Sequence, residues 1–149
     1  KHYLTIRNLG YTGDTVWSRP RNRGFPSQDQ YLKDIKADVI FIMFGYNESF
    51  GGEGGLGKYR DELGKLVDNY RSMKPNGKGA PRIVLFSPIA HEDLGNPNLP
   101  DGKANNGRLA IYSAATKEVA EAKARGKGSD PKGKGSEHKK PKTCWGCGK

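Results

Sequence analysis

Apolar side chains are scarce in this chain. They make up 34% of its 149 residues, and the mean hydropathy is −0.83. The longest uninterrupted apolar run, residues 39–44, is far short of the ~20 residues that a membrane-spanning helix needs. Cysteine is nearly absent: Cys144 and Cys147 both lie in the C-terminal tail, so no disulfide framework braces the fold. Acidic residues are outnumbered 16 to 26, giving a formal charge of +10, but the imbalance is local. Residues 1–122 hold 17 basic and 14 acidic side chains, and residues 123–149 hold 9 and 2. A nucleic-acid-binding domain is expected to carry its basic face on the folded part, and residues 1–122 are too nearly balanced for that. The length allows one domain.

What is present is an alternation of two periodicities. Tyr3-Leu4-Thr5-Ile6-Arg7 reads as a short strand, and Tyr31, Leu32 and Ile35 give helical spacing over residues 28–36. Residues 39–44 are apolar at every position, the pattern of a central parallel strand covered by helices on both faces. Tyr59, Leu63, Leu66, Val67, Tyr70 and Met73 form an amphipathic stripe that Pro75-Asn76-Gly77 stops. Ile83-Val84-Leu85-Phe86 is a further strand, and Leu109, Tyr112, Ala115, Val119 and Ala122 line a last helix. Strands alternating with helices through short connections predict an α/β fold, a three-layer α/β/α sandwich on a parallel sheet. From Lys123 onward Lys, Gly, Ser and Pro take over, which predicts a disordered basic tail over residues 123–149.

Ligands of such sheets bind beyond the carboxyl ends of the strands. Three loops leave those ends: residues 8–15, 45–49 and 87–92. Gly13 lets a reacting group come close to its backbone N–H, and Asn47 offers an uncharged side-chain N–H donor after the most apolar strand. Two such donors aimed at one point make an oxyanion hole for acyl transfer. The motif Asn8-x-Gly-x-x-Gly13-Asp14-Thr15 resembles the second sequence block of the SGNH (GDSL-type) hydrolases. Gly45-Tyr46-Asn47-Glu48 is similar to their third block, Gly-x-Asn-Asp/Glu. The likeness extends over residues 2–122. It implies a flavodoxin-like SGNH fold and a serine esterase acting on an acyl or acetyl ester of a carbohydrate or lipid, with no metal or organic cofactor. Gly13 and Asn47 then stabilise the oxyanion, while Asp14, Glu48 and His91 are candidates for contact with substrate.

The departures from the family pattern matter as much. Neither the Gly-Asp-Ser block of the nucleophile nor the Asp-x-x-His block of the base occurs in the 149 residues; Asp130 and His138 stand too far apart to replace the latter. The resemblance therefore implies a fragment, inactive as it stands, whose serine, aspartate and histidine lie outside this chain. A non-catalytic carbohydrate-binding module on the same fold is the alternative. The onset of the tail where a final strand is due is what a shifted reading frame produces.

Other features read more plainly. Asn47 alone could cap a local turn, Asp14 and Thr15 fit an N-cap, and His91 beside Glu92 fits a solvated loop. Ser49 and Ser87 lack the Gly-x-Ser-x-Gly elbow of a nucleophile. Gly52-Glu53-Gly54-Gly55-Leu56-Gly57 spells G-x-G-x-x-G but begins eight residues after Phe44, so a flexible loop over the site fits better than a dinucleotide turn. Cys144-Trp145-Gly146-Cys147 is a lone C-x-x-C, short of a structural zinc site even with His138. The basic tail allows only weak, salt-dependent attachment to nucleic acid.

Overall fold

The computed structural model describes residues 3–20 and 24–125. Helix α1 spans Gln28–Asp34 and starts where the Ser27 hydroxyl accepts the Gln30 N–H, with Asp29 in its first turn and Lys33 in its last. Strand β1 (Val39–Ile42) follows, then two 3₁₀ turns, Glu48–Gly51 and Glu53–Gly55. Helix α2 (Leu56–Met73) buries Tyr59, Leu63, Leu66, Val67 and Tyr70 along one side and ends at Lys74, which takes the left-handed conformation just before Pro75. Strand β2 (Arg82–Leu85) pairs in parallel with β1, and helix α3 (Lys103–Arg125) closes the described chain. Asp101 caps α3 by accepting the Lys103 N–H.

This is a mixed α/β fold around a two-stranded parallel sheet in the order β1-β2. Ile40 and Ile42 point to one face, where they join Leu32 of α1, Leu63 and Val67 of α2, and Tyr112 and Ala115 of α3 in a single core. The opposite face carries Val39, Phe41, Met43, Val84 and Phe86, and Phe41 is 60% exposed. Burial on both faces, expected for residues 39–44, is thus realised on one only among the described residues. The helices whose side chains enter the core all do so beside Ile40 and Ile42. Phe41 and Phe86 meet edge to face, with centroids 5.3 Å apart.

The strand expected at Tyr3-Leu4-Thr5-Ile6-Arg7 does not form. Tyr3, Leu4 and Ile6 are 84–92% exposed, and the described sheet ends at β1 and β2. A single strand gains neither ladder hydrogen bonds nor buried surface to offset its ordering entropy, so β propensity alone does not hold one. The tail boundary also moves. Lys123 belongs to α3: its ammonium pairs with Asp68, its carbonyl accepts from Arg71 Nη1 at 3.0 Å, and its stem lies against Gly64. Residues 126–149, with Cys144, Cys147 and His138, lie outside the described residues.

The G-x-G-x-x-G segment is a packing element, not a loose flap. Tyr112 of α3 donates its hydroxyl to Gly52 O at 2.9 Å, and a Cβ on Gly55 would stand only 2.4 Å from that hydroxyl. The glycines are what let the turn close over the ring. Tyr59 stacks beside Tyr112 with centroids 5.0 Å apart and shares a 2.8 Å hydrogen bond with Thr116. Burial pushes the Tyr59 phenol up to about 12, with Glu48 adding to the rise and the Thr116 hydrogen bond opposing it. Burial raises Tyr112 as well.

Because the folded phenol keeps its proton where the unfolded one loses it, this contribution is complete below pH ~10. It is lost as pH climbs from there toward about 12. Urea midpoints taken at pH 8 and pH 11.5 should show a loss of about 2 kcal/mol from Tyr59. Tyr59→Phe should flatten the dependence. Equal slopes in the two proteins would contradict this assignment.

Candidate functional site

The loop of residues 8–15, which follows no described strand, and the loops that follow β1 and β2 are built around one another. In the first, Tyr11 to Asp14 form a turn: the Asp14 N–H donates to Tyr11 O at 3.1 Å, and the Tyr11 N–H donates to Asp14 Oδ2 at 3.2 Å. Gly13 holds the third position at φ +83, the value a type II turn demands there and one that L side chains avoid. Its own N–H makes no hydrogen bond among the described residues, and a Cβ built on Gly13 finds no atom within 4 Å. The space on the Cβ side of Gly13 is open. No helix follows, so Thr15 caps none; its hydroxyl and N–H instead close a turn with Ser18.

Glu48 fastens the first loop to the second. Its carboxylate is 3% exposed and accepts the Val16 N–H at 2.7 Å through Oε1 and the Gly45 N–H at 2.8 Å through Oε2. Both oxygens are therefore engaged by the protein backbone, and the residue binds loop to loop. Gly45, at φ +117, leaves room for the third loop: a Cβ there would stand 2.9 Å from the Tyr59 hydroxyl and 3.4 Å from the Pro88 ring.

Asn47 is the residue on which the site turns. It opens the Glu48–Gly51 turn, yet its side chain makes no capping hydrogen bond. Its amide reaches across 33 positions and donates from Nδ2 to Asp14 O at 2.8 Å. The local-cap reading therefore fails, because the side chain is aimed at the Gly13-Asp14 turn. A carboxamide nitrogen carries two hydrogens, and Asp14 O engages one of them. Asp14 itself is buried, with its carboxylate turned back into its own turn and its carbonyl holding Asn47.

His91 sits on the third loop. Its backbone is gripped at both ends by Asn106, which accepts the His91 N–H at 2.7 Å and donates to His91 O at 2.9 Å. The ring packs over Gly102 and lies 6.5 Å from the Tyr46 ring, next in sequence to Asn47. Its Nδ1 is buried without a hydrogen-bond partner, while the residue as a whole is half-buried and the loop that follows it is exposed. Ser49 is fully buried and donates to Tyr46 O at 2.6 Å, which removes it from the surface where a nucleophile would act.

Two supports carry no sequence signal. Asn106 belongs to no motif that marks it as the clamp on His91. Arg19 lies in a stretch that reads as loop, but its guanidinium donates to Val16 O at 2.6 Å and to Gln28 Oε1 at 2.9 Å, and rests 5.5 Å from the Phe44 ring centre. It ties the first loop to α1 and to the end of β1. One of three arginines in the stretch 19–23, it is not singled out for that role by the sequence. Among the described residues no group of three His, Cys, Asp or Glu side chains could hold a metal ion. No helix among them is long and apolar enough to cross a membrane. Comparison with protein-family models, with curated proteins and with solved structures found no match to this chain.

Proposed function

We propose that this chain is the oxyanion-binding part of a serine ester hydrolase of the SGNH type, completed to a three-layer α/β/α sandwich in a longer protein. Gly13 N–H and Asn47 Nδ2 are the two donors. The substrate is an acyl or acetyl ester of a carbohydrate or lipid, and the serine nucleophile and its Asp–His base come from outside these 149 residues. The observation that carries the reading is the Asn47 carboxamide, set across 33 residues onto Asp14 O rather than onto its own turn. An amide donor held on this turn, together with a Gly13 N–H that makes no hydrogen bond among the described residues, would stabilise negative charge developing on an acyl oxygen.

Alone, the chain should hydrolyse p-nitrophenyl acetate no faster than buffer, since donors without nucleophile and base retain little of the catalytic machinery. It should still bind a small tetrahedral anion. Methylphosphonate affinity, followed by NMR titration, should drop about tenfold or more in Asn47→Ala, the scale of one hydrogen bond to a charged acceptor. Unchanged affinity would remove Asn47 from the site. Rapid stoichiometric ester hydrolysis by the wild-type chain would show that the nucleophile lies within it.

A further inference from the structure

The first turn of α3 holds two loops of the site at once. Asn106 clamps the third loop at His91, and its neighbour Asn105 reaches the second, with Oδ1 3.3 Å from Ser49 Oγ. We propose that Asn105 is a positioning residue for Asn47, acting as a hydrogen-bond donor through Ser49 on the peptide bond that leads into Asn47. The proposal rests on the oxyanion reading for its purpose and adds what keeps that donor aimed.

The chain of contacts is short. Tyr46 precedes Asn47, so the Tyr46 carbonyl lies in the rigid peptide plane from which Asn47 departs, and turning that plane changes the Asn47 φ of −65. Ser49 holds this carbonyl twice, from its N–H at 3.2 Å and from its hydroxyl at 2.6 Å. Among the described residues Asn105 brings the one other side chain within hydrogen-bond reach of the Ser49 hydroxyl. Ser49 is fully buried and Asn105 is 7% exposed, which shields the relay from solvent. A rotation of the plane is passed on to a side chain that must meet Asp14 O at 2.8 Å, and hydrogen bonds weaken steeply when misaligned.

The direction of the outer bond follows from a count of hydrogens. A hydroxyl has one hydrogen, and the shorter contact, to Tyr46 O, takes it. Asn105 Nδ2 has two, and it is buried without a partner. A half-turn of the carboxamide exchanges its oxygen and nitrogen and sets Nδ2 against a lone pair of Ser49 Oγ. Asn105 then donates to Ser49, and Ser49 donates to Tyr46 O. An orphaned buried N–H is rarer in folded chains than an under-used carbonyl oxygen, which favours this arrangement. Successive donations also polarise and strengthen one another.

The test uses the whole chain, read by ¹⁵N-resolved NMR with methylphosphonate as probe. Asn105→Ala should move the Asn47 side-chain amide signal, leave the Gly13 N–H signal in place, and weaken methylphosphonate about threefold, within the scale of one neutral hydrogen bond. Asn105→Asp keeps the shape and the acceptor atoms but cannot donate once ionised, so it should behave as alanine does. Ser49→Ala should weaken binding to the same degree. The double variant Ser49→Ala/Asn105→Ala should be no weaker than either single one, because both break the same relay. Wild-type affinity in Asn105→Ala would overturn the proposal, as would additive losses in the double variant or equal movement of the Gly13 and Asn47 signals. Wild-type behaviour of Asn105→Asp would overturn the donor role. If the wild-type chain binds no methylphosphonate, the oxyanion reading falls on its own. The relay is then judged by the Asn47 side-chain signal, whose movement in both single variants supports it and whose stillness refutes it.

Discussion

Glu48→Ala should lower the stability of the chain by roughly 3–5 kcal/mol, the scale for breaking a buried charged contact. The reason is the inventory of hydrogen bonds, not the charge alone. Glu48 accepts from Val16 N and Gly45 N, two backbone donors 29 residues apart in the chain, inside a region closed to solvent. Alanine leaves both N–H groups unsatisfied, at ~1–3 kcal/mol each, and opens a void where the side chain ran. Glu48→Gln keeps one acceptor but turns an NH₂ toward a second donor, so a loss between those of wild type and alanine is expected. Urea unfolding reads both. A midpoint for Glu48→Ala within about 0.5 kcal/mol of wild type would show that the loops hold together without this carboxylate. At a typical total stability of ~5–15 kcal/mol, the alanine variant should also lose the Asn47–Asp14 contact, and with it the binding of methylphosphonate.

Tyr112→Ala should cost about 3–5 kcal/mol, whereas Tyr112→Phe should cost only ~1 kcal/mol. Tyr112 is fully buried between α3, α2 and the 3₁₀ turns, and its ring packs on that of Tyr59. Truncation removes the ring that both helices share and leaves a cavity at their crossing. Phenylalanine fills the same space and loses only the hydrogen bond to Gly52 O. The asymmetry is the diagnostic part. Equal losses in the two variants would mean that the hydroxyl, and not the ring, holds the glycine turns against α3.

The helices are legible in the sequence because each writes its core face at a helical period: Leu63, Val67 and Tyr70 in α2, and Leu109, Tyr112 and Val119 in α3, are buried as their spacing predicts. The paired strands are legible as apolar runs, and the structure starts or ends each within two residues of its run. The segment at residues 3–7 is not. Strand propensity states what a residue tolerates, while a strand exists only beside a partner, and no partner position is written in Tyr3-Leu4-Thr5-Ile6-Arg7. The convergence of the second and third loops follows from topology, because parallel strands deliver their following loops to one edge; the first loop follows no described strand and is held there by Glu48 and Asn47. Glu48 stands at the expected place, yet its carboxylate joins two loops where contact with substrate was expected. An exposure of 3% and an amide partner 32 residues away at Val16 are properties of the folded chain that the Asn-Glu dipeptide does not announce. The glycine run misleads for the same reason, since its role is set by Tyr112, some 60 residues away.

The central claim is that the Gly13 N–H and the Asn47 carboxamide serve one anion. A ¹⁵N-resolved NMR titration of the wild-type chain with methylphosphonate reads both donors in the same tube. The account predicts downfield shifts at Gly13 and at the Asn47 side chain that saturate with a single shared Kd. Separate dissociation constants, or a response at one donor and silence at the other, would contradict it.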